Sequence, residues 1–155
     1  EKMPPDSPKP GVIHNDYKFD NVVLNPENPQ EIIGVLDWEM ATIGDPLMDL
    51  GSSLGYWVQA DDPEELQAAR MLPTTLPGAM TRTEMVRRYE TLAGITVDNF
   101  DFYLCFGIFR LAVIAQQIYY RFYHGQTKDE RFSVLIFGVH ILEKSALNFI
   151  KNGGL

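Results

Sequence analysis

The sequence predicts an α+β fold, mostly α, and three observations carry that prediction. The short runs that read as strands, rich in valine, isoleucine and leucine, lie before residue 40. Every segment after that point shows helical spacing and helix-boundary residues. The chain has 155 residues, 45% of them hydrophobic and 22% charged, a composition that suits one globular domain with one core. It contains no internal repeat and no low-complexity segment.

The elements follow in order. Pro4, Pro5, Pro8 and Pro10 bar a regular helix at the start, and no apolar signal-peptide core is present. Residues 1–11 therefore read as a linker. Val12-Ile13 is a very short strand, stopped by a polar loop. Val22-Val23-Leu24 is a second strand, and Asn25 to Pro29 is a turn of asparagine and proline. Glu31 to Asp37 is a third strand, forming an antiparallel hairpin with the second. After Met40 the pattern becomes helical, with Asp45 as N-cap and Pro46 at the first helical position. Leu47, Leu50, Leu54 and Val58 repeat at helical spacing, which extends this helix to about Ala60. A short helix is expected over Glu64–Arg70, then a loop over 73–78. Thr83 is expected to cap a helix from Glu84 to Ala93, stopped by Gly94. Asp98 is expected to cap a long helix running to His124, stopped by Gly125. The last helix spans Glu130–Asn152 and ends at Gly153-Gly154. The apolar stretch Phe100–Ala115 contains Arg110 and Asp101 and falls short of the ~20 apolar residues of a membrane span. It reads as a buried central helix, and no membrane partner is expected.

The formal net charge is −8, which argues against a nucleic-acid partner. Cys105 is the only cysteine, so no internal disulfide can form and a reducing, cytoplasmic compartment is expected.

Residues His14 to Asn21 carry the spacing H-x-D-x-x-x-x-N of a kinase catalytic loop. Phosphoryl transfer needs a base for the attacking hydroxyl and oxygen ligands for magnesium. Asp16 is the candidate base. Asn21, at the start of one hairpin strand, and Asp37, at the end of its partner, are candidate metal ligands. Directly opposed, they would lie about 5 Å apart. Lys18 is placed to neutralise charge on a transferring phosphoryl group. His14 is expected to brace the loop by a backbone hydrogen bond. Asp49 suits the first turn of its helix, with bonding to the loop's amides as a second role. His124 fits a helix end, and His140, among Val139, Ile141 and Leu142, reads as a core position. Arg110 needs an acidic partner, with Asp101, Glu143 and Asp49 as candidates, unless it reads an anionic acceptor. Tyr56, Trp57, Tyr103, Tyr119, Tyr120 and Tyr123 read as core or core edge, in a region expected to build the acceptor pocket.

Together these segments resemble the phosphotransferase enzyme family related to aminoglycoside phosphotransferases and choline kinases. His14–Asn21 is similar to its catalytic loop, Val35-Leu36-Asp37-Trp38-Glu39 to its metal segment, and Gly44-Asp45-Pro46 with Asp49-Leu50 to its next motif. The resemblance implies a protein-kinase-like C-terminal lobe, residues 12–155, with a short β-hairpin carrying the catalytic and metal residues. It implies ATP-dependent phosphotransfer to a hydroxyl of a small molecule. Asp16 and Lys18 would be catalytic, Asn21 and Asp37 would bind Mg2+, and His14 and Asp49 would support the loop. ATP would be the co-substrate. No nucleotide-gripping residue is assigned here, because the glycine-rich loop and strand lysine would precede the catalytic loop. Residues 1–11 would then link to a nucleotide lobe, and the lobe alone would be inactive. The Asp37-Trp38-Glu39 wording is similar to phosphotransferase domains fused to acyl-CoA dehydrogenases. That likeness implies a hydroxyacyl thioester acceptor, beside the amino-sugars and amino-alcohols of the wider family. Two other readings compete: a catalytically silent binding module of kinase fold, and a metal-dependent phosphohydrolase built on His14, Asp16 and Asp37.

Overall fold

Two antiparallel strand pairs flank the polar loop, and five helices follow, the first of which packs on the first strand. The computed structural model describes residues 3, 4, 7 and 9–153. Part of the expected linker, and Gly154, lie outside those residues. The strands are β1 Gly11–Ile13, β2 Val22–Leu24, β3 Ile32–Val35 and β4 Thr42–Gly44. The helices are α1 Pro46–Gly55, α2 Glu64–Ala68, α3 Arg82–Ala93, α4 Phe100–Tyr123 and α5 Leu135–Asn152. A 3-10 turn, Glu130–Val134, leads into α5.

β4 is a strand where the sequence suggested only an approach to helix. It is three residues long, too short to show a period of its own, and exists because β1 pairs with it, Gly11 to Gly44 and Ile13 to Thr42. The hairpin pairs Val22 with Val35 and Val23 with Gly34, then a bulge sets Leu24 against Ile32. β3 stops at Val35 rather than Asp37. Asp37 turns left-handed, with φ 64°, and opens the 3-10 turn Trp38–Met40.

Helix boundaries also differ from expectation: α2 ends at Ala68 rather than Arg70, and α5 begins at Leu135 because Glu130–Val134 is a 3-10 turn. α1 stops at Gly55, short of Ala60. Beyond it, Thr74 Oγ1 donates to the Val58 carbonyl and the Gln59 amide donates to Asp62, so side chains take main-chain groups that further helix would have paired. α3 is capped by Thr81, not Thr83: Thr81 Oγ1 accepts from the Glu84 amide, and Glu84 accepts from the Thr81 amide. α4 is preceded by Asn99 in the left-handed region, φ 54°, rather than capped by Asp98. Asparagine tolerates that region better than most residues.

The core joins Leu54 of α1, Val86 of α3, and Phe100, Tyr103, Leu104 and Ile108 of α4. α4 lies between α1 and α5. It crosses α1 at Gly51 and Gly107, where a side chain on either glycine would collide with the other helix's backbone. The apolar run is not buried throughout. Its buried residues lie between Phe100 and Ile108, while Tyr120 and Tyr123 near the far end are exposed. α4 and residues 130–152 are long and apolar enough, by length and composition alone, to cross a bilayer. In this fold α4 and α5 pack on each other. His140 is not a core residue. Its side chain is 67% exposed and lies 3.7 Å from Glu143, because α5 buries none of its residues fully and His140 lies on its outer face.

Asp45 joins two of these elements. One carboxylate oxygen accepts from the Leu47 amide, capping α1, and the other from the Tyr103 hydroxyl of α4 at 2.9 Å. Burial, then that hydrogen bond, pushes the Tyr103 phenol up to about 12. Asp45→Ala removes the cap and orphans a buried hydroxyl. A loss of about 2 kcal/mol is expected, or about 4–8 °C in a thermal melt, and Asp45→Asn should recover part of it.

Candidate active site

The loop after β1 is held by side chains of α1, and the spacing of those side chains explains how. Asp49, Ser53 and Tyr56 follow the i, i+4, i+7 pattern that shares one helix face. Asp49 Oδ2 accepts from the His14 amide at 2.7 Å and Oδ1 from the Asn15 amide at 2.8 Å. Ser53 Oγ donates to the Tyr17 carbonyl at 2.7 Å. The Tyr56 hydroxyl donates to Asp16 Oδ1 at 2.9 Å.

His14 is buried at 2% exposure. Its Nε2 donates to the Leu36 carbonyl at 2.7 Å, and its Nδ1 accepts from the Asp16 amide at 3.2 Å. This pair of bonds requires a neutral ring protonated on Nε2, so neither nitrogen is left to ligate a metal. The bond to Leu36 ties the loop to the strand end that leads to Asp37. The Trp38 ring packs against His14 with centroids 4.7 Å apart.

Asn15 is left-handed, φ 67°. It is pinned on three sides: by Asp49 at its amide, by the Met40 carbonyl at its side chain, and by Arg110 Nη1 at its carbonyl, 3.1 Å. Arg110 also donates to Ser52 Oγ at 2.7 Å. Its partners are thus two neutral oxygens, not the acid expected from sequence. A half-buried guanidinium is satisfied here by a loop carbonyl that only the tertiary fold brings to it.

Asp16 lies at the centre of a side-chain network. Its Oδ2 accepts from Lys18 Nζ at 2.7 Å and from Asn21 Nδ2 at 3.0 Å. Asn21 Nδ2 also donates to the Asp16 carbonyl at 2.8 Å. Lys18 Nζ sits 4.9 Å from the centroid of the Tyr56 ring. Burial, then the negative charge of Asp16, pushes the Tyr56 phenol well above the ordinary tyrosine range. The sequence reading placed Tyr56 in the core or at its edge, without a role toward Asp16. Its register on the Asp49 face of α1 was the signal that could have placed it here.

Asp37 is exposed at the open end of the hairpin. The Leu36 amide donates to the Asn21 carbonyl at 2.8 Å, which sets Leu36 across from Asn21 and Asp37 one step further on. The two candidate ligands are therefore offset, not directly opposed, because β3 ends before Asp37. Among the described residues no three His, Cys, Asp or Glu side chains form a metal cluster. The available donors are an amide oxygen and one carboxylate. That hard, sparse set fits magnesium, which keeps waters and substrate phosphates as its other ligands.

The remaining aromatic candidates divide. Trp57 Nε1 donates to the Met80 carbonyl at 2.8 Å. At the far end of α4, Tyr119 packs on Tyr123, and Tyr120 and Tyr123 each pack on His124. Beside the loop lies a mostly apolar cavity of about 570 Å3, bordered by Lys18, Phe19, Val22, Leu50, Trp57 and Tyr89.

Comparison with known proteins agrees with this geometry. The sequence profile of the phosphotransferase enzyme family matches residues 1–80. Acyl-CoA dehydrogenase family member 10 of Mus musculus is 38% identical over 120 residues, covering 76% of this chain and 11% of that protein. Acyl-CoA dehydrogenase family member 11 of Homo sapiens is 32% identical over 133 residues, covering 84% of this chain and 16% of that protein. The chain thus spans less than a fifth of the length of these relatives. A crystal structure from Ralstonia eutropha JMP134, assigned as an aminoglycoside phosphotransferase, superposes with a TM-score of 0.76 at 25% identity, covering 94% of this chain and 44% of that one. With the loop, the hairpin and the helical support all in place, this chain belongs to the phosphotransferase enzyme family and has its kinase-like fold.

Proposed function

We propose that this chain is the acceptor-side catalytic lobe of an ATP-dependent phosphotransferase acting on an alcohol group of a small molecule. The observation that carries the reading is the Asp16 carboxylate, oriented by Lys18, Asn21 and Tyr56 at the mouth of the hairpin. In this reading Asp16 accepts the proton of the attacking hydroxyl. Lys18 offsets negative charge beside it. Asn21 and Asp37 would hold Mg2+, which when bound neutralises phosphate charge. His14 and Asp49 keep the loop backbone in register. No nucleotide-gripping group is assigned among the described residues, so the lobe alone is expected to be inactive.

The acyl-CoA dehydrogenase relatives favour a hydroxyacyl thioester acceptor over an amino-sugar or amino-alcohol. A reducing, cytoplasmic setting without nucleic-acid or membrane partners suits the single cysteine and net charge of −8. The phosphohydrolase alternative loses support at His14, whose two ring nitrogens are both engaged.

The test is ADP release by the full-length protein with ATP, Mg2+ and a panel of alcohols, amino-sugars and hydroxyacyl thioesters. Release that depends on an acceptor is expected. Release without any acceptor would favour hydrolysis, and no magnesium-enhanced nucleotide binding would favour a silent module. Changing outer partners of a metal site commonly costs ~10–100-fold in metal affinity. Asp37→Asn should therefore raise the magnesium needed for half-maximal rate by about tenfold or more, read from a magnesium titration.

A further inference from the structure

Asp16 accepts three side-chain hydrogen bonds, and they are divided unevenly. Among the described residues, Oδ2 takes Lys18 Nζ and Asn21 Nδ2, while Oδ1 takes the Tyr56 hydroxyl alone. Each oxygen of an ionised carboxylate offers about two acceptor sites. Oδ2 is therefore filled and Oδ1 keeps one site open. We propose that Tyr56 is the positioning residue for Asp16, holding the carboxylate so that Oδ1 takes the acceptor's proton; this rests on the phosphotransfer reading above. The loop's main chain is already held by Asp49 and Ser53 of α1, and Tyr56, the residue that closes α1, reaches the Asp16 carboxylate itself.

In the step, the acceptor O–H bond breaks and its proton goes to Oδ1. The freed oxygen pair forms a bond to the γ-phosphorus of the nucleoside triphosphate. The bond from that phosphorus to the bridging oxygen breaks, and its electron pair leaves with the nucleoside diphosphate. Tyr56 keeps its own proton throughout and acts only through Asp16. The charged groups facing it are Asp16, Lys18 and Asp20 from the loop and Arg110 from α4. Burial and the two carboxylates oppose ionisation of the phenol more than Arg110 favours it, so it remains a donor.

Tyr56→Phe in the full-length protein removes the hydroxyl and keeps the ring beneath Lys18. A misplacement of reacting groups near 1 Å can cost ~100-fold. The expected result is a kcat reduced roughly 10- to 100-fold, with KM for nucleotide and alcohol within about twofold of wild type. An unchanged kcat, in a protein where Asp16→Asn abolishes transfer, overturns the Tyr56 assignment alone. Absence of any Asp16-dependent transfer in the wild type overturns the phosphotransfer reading instead. A second measurement needs neither turnover nor a folded Tyr56→Phe variant: NMR of the protein labelled at tyrosine Cζ. Asp16→Asn removes a charge facing the phenol, so one tyrosine signal should shift and its ionisation should move down toward the ordinary tyrosine value. Tyrosine signals that all stay in place would overturn the contact, and with it the proposal.

Discussion

Asp16→Asn in the full-length protein is expected to lower kcat by about 10²–10⁴-fold, the usual contribution of a positioned general base. The variant is nearly isosteric. It leaves the loop backbone on Asp49 and the His14 bond to Leu36 unaltered. It removes the charge that Lys18 faces at 2.7 Å and the basic oxygen bonded by Tyr56. Nucleotide affinity should hold within about twofold, because uniform binding is not what the carboxylate supplies. Steady-state rates and a nucleotide titration on the same preparation check both halves. A variant that retains full kcat would remove Asp16 from the role of base.

Gly107→Ala should be strongly destabilising for so small a change. A Cβ there would overlap the carbonyl of Gly51 across the α1–α4 crossing, and the clash is with backbone on both sides. No rotamer can relieve it, so the helices must move apart. Overpacking of a core usually costs 1–3 kcal/mol and sometimes more. About 3 kcal/mol or more is expected, seen as a fall of about 6–12 °C in the melting temperature. The matched control is Gly138→Ala in α5, where a Cβ meets nothing within 4 Å. There the gain in helix propensity should stabilise by up to ~1 kcal/mol. If both substitutions behave alike, the close crossing is not what holds α1 against α4. Because Asp49 and Ser53 are carried on α1 and Tyr56 closes it, spreading the two helices should also weaken loop positioning, and activity should fall with stability.

Local signals in the sequence were enough for several parts of this architecture. The apolar, β-branched runs at Val22–Leu24 and Glu31–Asp37 around an Asn-Pro turn marked the hairpin. Asp45-Pro46 marked the start of α1, and Gly94 and Gly125 the ends of α3 and α4. The eight-residue spacing from His14 to Asn21 marked a loop in which the structure joins Asp16, Lys18 and Asn21 directly. Other parts were not legible. β4 had too few residues to show a period. Arg110 found a carbonyl 95 residues away in sequence, and the acids near it in sequence were no guide. Tyr56 looked like one more aromatic on an apolar helix.

Residue spacing and capping chemistry by themselves determined where the chain turns, which segments coil, and which short loop carries the reactive groups, since such preferences act over a few neighbours. The tertiary structure alone decided that Tyr56 would reach Asp16, that Asp37 would lie one step past Asn21, and that His140, Tyr120 and Tyr123 would face outward. Those outcomes depend on which surfaces meet, and a pair of residues distant in sequence has no partner until the helices have packed.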